Sequence, residues 1–249
     1  MKSIQLFLAF DEKLRHYYSH VFNSAKKNSS INIEPNIIID KQTSNNFHSD
    51  IKIHIIEPEI QNVKKHSMAT PYTKGIFYRY YIPYLTDAKK AIYLDNDVVV
   101  LGDLRELAEI NMGNYLVGAV PNYYQKTVQD TFFMQGICPD GLNNKAYLSG
   151  QLLINCEQWR REDITKHFIQ YAKTHSILDE ACINIICGQR IMELDKYWCL
   201  PANQIDENYA HYKLKDYDFS KAKLLHWAGK TKPWESKNCR NKKYYEMYL

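Results

Sequence analysis

The run Ala91-Ile92-Tyr93-Leu94-Asp95-Asn96-Asp97-Val98-Val99-Val100 constrains this chain more than any other stretch, because two carboxylates one residue apart interrupt an apolar segment. An apolar run of this kind belongs in a strand covered on both faces, and two acids are a poor way to build a core. They are a good way to hold a metal ion. Residues i and i+2 of a strand point to one side, so the spacing predicts that Asp95 and Asp97 present oxygens to one hard cation at the carboxyl end of a buried strand.

A second motif, His226-Trp227-Ala228-Gly229-Lys230-Thr231-Lys232-Pro233-Trp234, follows the apolar approach Lys223-Leu224-Leu225. Its His offers a nitrogen ligand, its Gly lets backbone come close to a ligand, and a Lys held before Pro offers charge to phosphate oxygens. The two patterns together, YLDxD and HxxGxxKPW, resemble glycosyltransferase family 8. These retaining nucleotide-sugar transferases include bacterial lipopolysaccharide galactosyl- and glucosyltransferases and glycogenin.

The resemblance runs from the first strand to about Trp234. It implies an α/β fold: a single GT-A-type nucleotide-sugar-binding domain over residues 1–234, with a mostly parallel mixed sheet flanked by helices. It also implies a metal site of Asp95, Asp97 and His226. Two carboxylates and an imidazole suit Mn(II) better than Mg(II), which is the second choice. Lys232 and the Gly229 backbone are then expected at the donor diphosphate, and Asp95 and Asn96 among the other donor-binding residues.

Ala9 and Asp11 lie where the family's first strand meets uracil and ribose, although Lys13 and Leu14 replace the Asn-Tyr often seen there. Arg79 resembles a family Arg that faces the donor. Ser149-Gly150 resembles the element NAGxLLIN or NSGxLLIN that contacts the donor sugar, with Leu148 in place of its Asn. Asp179 and Asn184 match a DQDxLN element beside the anomeric centre, where Glu180 replaces Gln and Ala181 replaces the second Asp. Glu180 and Asp179 are the implied catalytic pair.

The implied reaction is retaining, metal-dependent transfer of a hexose, galactose or glucose, from a UDP-sugar to a cell-surface glycan or lipid-linked saccharide. The alternative is a catalytically silent sugar-nucleotide-binding protein, for which Leu148 and Ala181 speak. A haloacid-dehalogenase-type phosphatase also carries an apolar run ending in DxD. That motif opens its chain and is followed by Thr or Ser, which Asp95 does not satisfy.

Composition agrees with one large α/β domain: 249 residues, 45% hydrophobic, and no visible repeat. The formal charge of +4 is spread along the chain, which argues against a nucleic-acid partner. Cys138, Cys156, Cys182, Cys187, Cys199 and Cys239 form no CxxC pair, so reduced, mostly buried thiols are expected. No span approaches the roughly 20 apolar residues that cross a bilayer. Residues 3–10 are short for a signal segment and run into Asp11-Glu12-Lys13, so they read as a buried strand and the protein is expected on the cytoplasmic side. Residues 235–249 mix Lys237, Arg240, Lys242 and Lys243 with Tyr244, Tyr245 and Tyr248, which predicts a tail held peripherally on the anionic inner face of the cytoplasmic membrane.

Periodicity predicts strands over residues 4–10, 36–40, 51–56, 91–94, 117–120 and 151–155, and helices over 12–26, 72–85 as far as Pro83, 156–173 and 179–187. The long aromatic and amide-rich interval 121–147 is expected to shape the acceptor site.

Overall fold

The first strand divides its side chains between two cores, Phe7 and Ala9 on one side and Ile4, Leu6 and Leu8 on the other. Alternation with burial on both faces is what a central parallel strand requires. The computed structural model describes residues 3–44, 46–59, 74–128, 144–175, 178–203, 217–237 and 239–249. Its strands are β1 (Ser3–Ala9), β2 (Asn32–Asp40), β3 (Lys52–Ile56), β4 (Lys90–Leu94), β5 (Val98–Val100), β6 (Val117–Ala119), β7 (Gln151–Asn155), β8 (Ile191–Glu193), β9 (Leu200–Pro201) and β10 (Leu224–His226).

Seven of them form the main sheet in the order β3-β2-β1-β4-β7-β6-β8. Strand β7 is antiparallel to both neighbours and the remaining pairs are parallel, as expected for a mostly parallel mixed sheet. The order reverses between β1 and β4, which opens a crevice at the carboxyl ends of those strands. Strands β5, β10 and β9 form a separate small sheet.

The helices are α1 (Ser19–Asn28), α2 (Ile82–Leu85), α3 (Arg105–Ala108), α4 (Cys156–Arg161), α5 (Ile164–His175), α6 (Asp179–Cys187) and α7 (Lys242–Glu246). Helices α1 and α3 cover one face of the main sheet through Val21, Phe22, Leu104 and Leu107. The other face is covered by α4, α5, α6 and a 3-10 helix, Lys74–Tyr81, through Trp159, Phe168, Ile183 and Tyr78. A third cluster joins the small sheet to Trp227, Cys239, Tyr245 and Tyr248, so part of the carboxyl-terminal segment is packed against β10.

Several predicted boundaries shift for identifiable reasons. Strand β2 begins at Asn32, ahead of the point where β3 joins at Asn36, and Pro35 is tolerated there because among the described residues no strand pairs with that outer side. The helix expected over 12–26 is a 3-10 turn, Glu12–Leu14, capped by Asp11, followed by a bend and then α1. Pro83 does not strain a helix; it sits in the first turn of α2, where its missing N–H has no intrahelical partner to lose. The helix expected over 156–173 breaks into α4 and α5 near Asp163, which takes φ +49°. Residues 72–73 of the second predicted helix and 129–143 of the aromatic interval lie outside the described residues.

The largest correction concerns the acidic motif. Asp95 and Asp97 are not neighbours on one strand face: Asn96 and Asp97 form a turn in which the chain leaves β4 of the main sheet and enters β5 of the small one. Cys138 is outside the described residues; the other five cysteines are free and buried. Among the described residues no helix is long and apolar enough to cross a membrane.

Candidate active site

The two acidic side chains meet because the turn between β4 and β5 is closed by a distant strand. Strand β10 pairs antiparallel with β5, placing His226 opposite Val98, and the Trp227 N–H donates to the Asp97 carbonyl at 2.9 Å. His226 Nε2 then lies 3.1 Å from Asp97 Oδ1 and 3.8 Å from Asp95 Oδ2. Ligand atoms of all three residues fall within 4.8 Å of one another. On its other nitrogen, His226 Nδ1 faces the Cys199 thiol at 3.6 Å, which leaves Nε2 toward the carboxylates.

Gly150 supplies the space. A Cβ there would stand 2.4 Å from His226 Cε1 and 3.0 Å from Asp95 Oδ2, so any side chain would fill the cradle. A bare backbone facing two carboxylates and an imidazole fits a divalent cation of borderline hardness.

Charge reinforces this arrangement. Lys232 Nζ donates to Asp97 Oδ2 and, at 3.0 Å, to the Trp227 carbonyl. Burial works against ionised Asp97, but His226 and Lys232 outweigh it and hold the carboxyl well below its usual range. Burial alone would lower His226; the Asp97 carboxylate overrides it and raises the imidazole well above its ordinary value. A cation bound between the acids would take over that role from the imidazolium proton.

Across the crevice, Arg79 ties a second acidic group to the first. Its guanidinium is only 4% exposed, and its N–H groups donate to the Ile76 carbonyl at 2.9 Å, the Ser149 carbonyl at 2.7 Å and Asp95 Oδ1 at 3.1 Å. Nη1 also lies 3.1 Å from Asp179 Oδ2, to which Ser149 Oγ donates at 3.0 Å. Burial raises Asp179 and Arg79 only partly offsets it. Glu180 accepts from Asn122 Nδ2 at 2.7 Å and from the Ser149 N–H at 3.2 Å. Burial, then the neighbouring Asp179, push its carboxyl up to about 7.

Asp95, Asp97, His226, Lys232, Ser149, Gly150, Arg79, Asp179 and Glu180 are thus brought around one crevice. Asn96 is turned inward, with Nδ2 donating to the Leu14 carbonyl at 3.3 Å. Ala9 is buried at the end of β1, and Asp11 spends an oxygen on the Lys13 N–H at 3.1 Å. Gly229 is exposed with φ +88°, a backbone angle that favours glycine in the loop between His226 and Lys232.

Tyr93, Asn122 and Cys199 were missed from sequence. Only Tyr93 carries a local signal, since it stands two residues before Asp95 in strand alternation. Asn122 and Cys199 reach the site through tertiary packing.

The glycosyl transferase family 8 model matches residues 5–238. The chain is 28% identical over 202 residues to glycosyltransferase GlyB of Streptococcus pneumoniae serotype 4, covering 74% of this chain and 46% of GlyB. It is 26% identical over 196 residues to general stress protein A of Bacillus subtilis, covering 70% of this chain and 64% of that protein. The chain therefore spans about half the length of GlyB and under two thirds of the other relative. The structure of galactosyltransferase LgtC in complex with donor and acceptor sugar analogs superposes with a TM-score of 0.75 at 16% identity, covering 98% of this chain and 95% of LgtC. An active-site Gln-to-Glu mutant of LgtC matches equally, at 18% identity. The fold is that of GT-A-type glycosyltransferases, and with the family model matching nearly its whole length the chain belongs to glycosyl transferase family 8.

Proposed function

We propose that this domain is a retaining hexosyltransferase that moves galactose or glucose from a UDP-sugar to a saccharide or glycolipid acceptor of the cell surface, with Mn(II) as first choice of cation. The observation that carries this is the convergence of Asp95, Asp97, His226 and Lys232 on one cradle kept open by Gly150.

Breaking the bond between sugar C1 and phosphate oxygen builds negative charge on UDP and positive charge on the sugar. Asp95, Asp97 and His226 would hold the cation, which when bound supplies Lewis-acid stabilisation of the departing diphosphate. Lys232 moves from Asp97 to the phosphate oxygens and adds its charge there. Asp179 and Glu180 face the sugar side, and a carboxylate there stabilises an oxocarbenium-like transition state or attacks it.

Two donors converge on Glu180. Asn122 Nδ2 is aimed at it because Asn122 Oδ1 already accepts from the Tyr124 and Gln125 N–H groups at 2.8 and 3.0 Å. A carboxylate offers both Asn122 and Ser149 an acceptor; the carboxamide of the family's Gln offers one. That is a physical reason for Glu at this position.

The silent binder stays as the alternative: Ala181 is packed in the core that lines one face of the sheet and Leu148 in the other, so both departures are accommodated by packing while the polar groups of the family's Asp and Asn are lost. The test is hydrolysis and transfer of UDP-glucose, UDP-galactose and their N-acetyl forms with and without Mn(II). Turnover that requires the metal and vanishes in Asp95→Ala supports transfer. Tight UDP-sugar binding with no turnover toward any acceptor supports the silent binder.

The membrane partner and the cytoplasmic, inner-face location belong to the same proposal. Tyr245 and Tyr248 are buried, whereas Lys230, Lys237, Arg240 and Lys243 are exposed, as are Met247 and Leu249. Replacing Lys237, Arg240 and Lys243 with Ser is expected to weaken sedimentation with anionic vesicles, at about 1 kcal/mol per charge near such a surface. Unchanged sedimentation would leave these charges as a solvated face.

A further inference from the structure

Asp95 departs from its neighbour Asp97 in how its two oxygens are used. Although the regular strand ends at Leu94, the Asp95 N–H still donates to the Gly150 carbonyl at 2.9 Å, continuing the ladder with the end of β7. Asp95 therefore keeps the alternation of β4 and falls on the same face as Tyr93. The Tyr93 hydroxyl, on a side chain only 1% exposed, donates to Asp95 Oδ1 at 2.5 Å. Arg79 Nη2 donates to the same oxygen, and its guanidinium carbon lies 4.3 Å from the centre of the Tyr93 ring. Oδ2 is the oxygen left facing His226.

Given the metal role proposed above for Asp95, we propose that Tyr93 is a positioning residue that turns Asp95 into a one-oxygen ligand and thereby sets which divalent cations the site prefers. With Oδ1 occupied by two donors, Asp95 cannot wrap both oxygens around an ion. Large cations such as Ca(II) gather six to eight oxygens, often with carboxylates giving two each, whereas smaller transition metals accept fewer ligands and welcome imidazole. The hydroxyl of Tyr93 thus disfavours Ca(II) relative to Mn(II).

The discriminating variant is Tyr93→Phe, which keeps the ring under Arg79 and the packing of β4 and removes only the hydroxyl. Binding of Mn(II) and of Ca(II) is measured without nucleotide, by the paramagnetic resonance of free Mn(II) and its displacement by Ca(II). Groups behind a metal ligand typically contribute 10- to 100-fold in affinity. Because Arg79 still holds Oδ1, the expected loss for Mn(II) is about tenfold, at the low end of that range, with a smaller loss or a gain for Ca(II). A purely structural role would lower the thermal midpoint and leave the Mn(II) to Ca(II) ratio unchanged; that result overturns the proposal.

The wild-type protein gives a second measurement that needs no variant, since Ca(II) binding as tightly as Mn(II) also overturns it. Asp95→Ala separates the two levels. If it abolishes Mn(II) binding while Tyr93→Phe changes nothing, the metal site stands and the role of Tyr93 falls. If Asp95→Ala binds Mn(II) as well as the wild type does, the metal reading falls with it.

Discussion

Two halves of one crevice shift their carboxyl groups in opposite directions. On the side of β5 and β10, Asp97 lies against His226 and Lys232 and is kept ionised. On the side of α6, Glu180 accepts from an amide and a backbone N–H, has Asp179 beside it, and is pushed up to about 7. Asp97 is buried and Glu180 half-buried, and burial pushes both carboxyls up, so burial alone does not separate them. The difference lies in whether the hydrogen-bond donors carry charge: cations offset desolvation, whereas neutral donors offset only part of it. The first environment suits a permanent anion that holds a cation. The second suits a group that gains or loses a proton near neutral pH.

The comparison is broken most severely by removing its charged half. Asp97→Ala leaves His226 and Lys232 facing each other without their anion, and breaking a buried pair from one side costs about 3 kcal/mol or more. Metal-dependent turnover is expected to fall by about 1,000-fold, the several kcal/mol that a bound cation contributes. Urea unfolding and UDP-sugar turnover measure the two losses; a stable variant with wild-type turnover would mean the metal is held elsewhere.

The neutral half is tested by pH and by one exchange. Glu180 titrates at about 7 in the fold, above its ordinary 4.5, so the folded protein keeps a proton that the unfolded chain has released between those values. Its contribution to stability therefore falls as pH rises from about 4.5 to 7, by up to about 3 kcal/mol, and is level above that. Asp97 gives the opposite slope, with stability present above the ordinary carboxylate range and lost as pH falls through it. Denaturant titrations at pH 5 and pH 8 should show a smaller difference for Glu180→Gln than for the wild type. An equal difference would mean that Glu180 is an ordinary surface-like acid.

The same exchange should slow the chemical step by about 100-fold with little change in the Michaelis constant, as for an interaction made mainly in the transition state. An undiminished rate constant would leave same-face attack, directed by cation and phosphate contacts, as the mechanism.

Smaller effects sharpen the charged half. Lys232→Ala keeps the three ligands but withdraws a phosphate partner, and UDP affinity measured by calorimetry should fall about tenfold, or about 1.4 kcal/mol. Smallest is the clamp that docks the Lys232 loop: Tyr17 stacks on Trp234 at 4.3 Å and 12°. A double-mutant cycle on this pair should return a coupling of about 1 kcal/mol. No coupling would mean that the loop is held by Trp227 and Lys232 alone.

Much of this is legible in the sequence. Strands β1, β4 and β7 follow from apolar runs bounded by polar turns, and the two motifs identified the family and pointed to Asp95, Asp97, His226 and Lys232. Helices were less legible at their breaks. The bends at 15–18 and at Asp163 interrupt patterns whose apolar spacing continues through them, because packing against Trp234 and the passage from α4 to α5 come from elsewhere in the chain.

By itself, then, the sequence determined which residues are chemically equipped for the site and which segments are strands, since alternation, turn chemistry and motif spacing are set by near neighbours along the chain. Only the tertiary structure decided who meets whom. It placed the acidic motif in a turn between two sheets, spent Arg79 on Asp95 and Asp179, and aimed Asn122 at Glu180. Those contacts depend on the order of strands across the sheets, and that order brings together segments whose local sequences carry no record of one another.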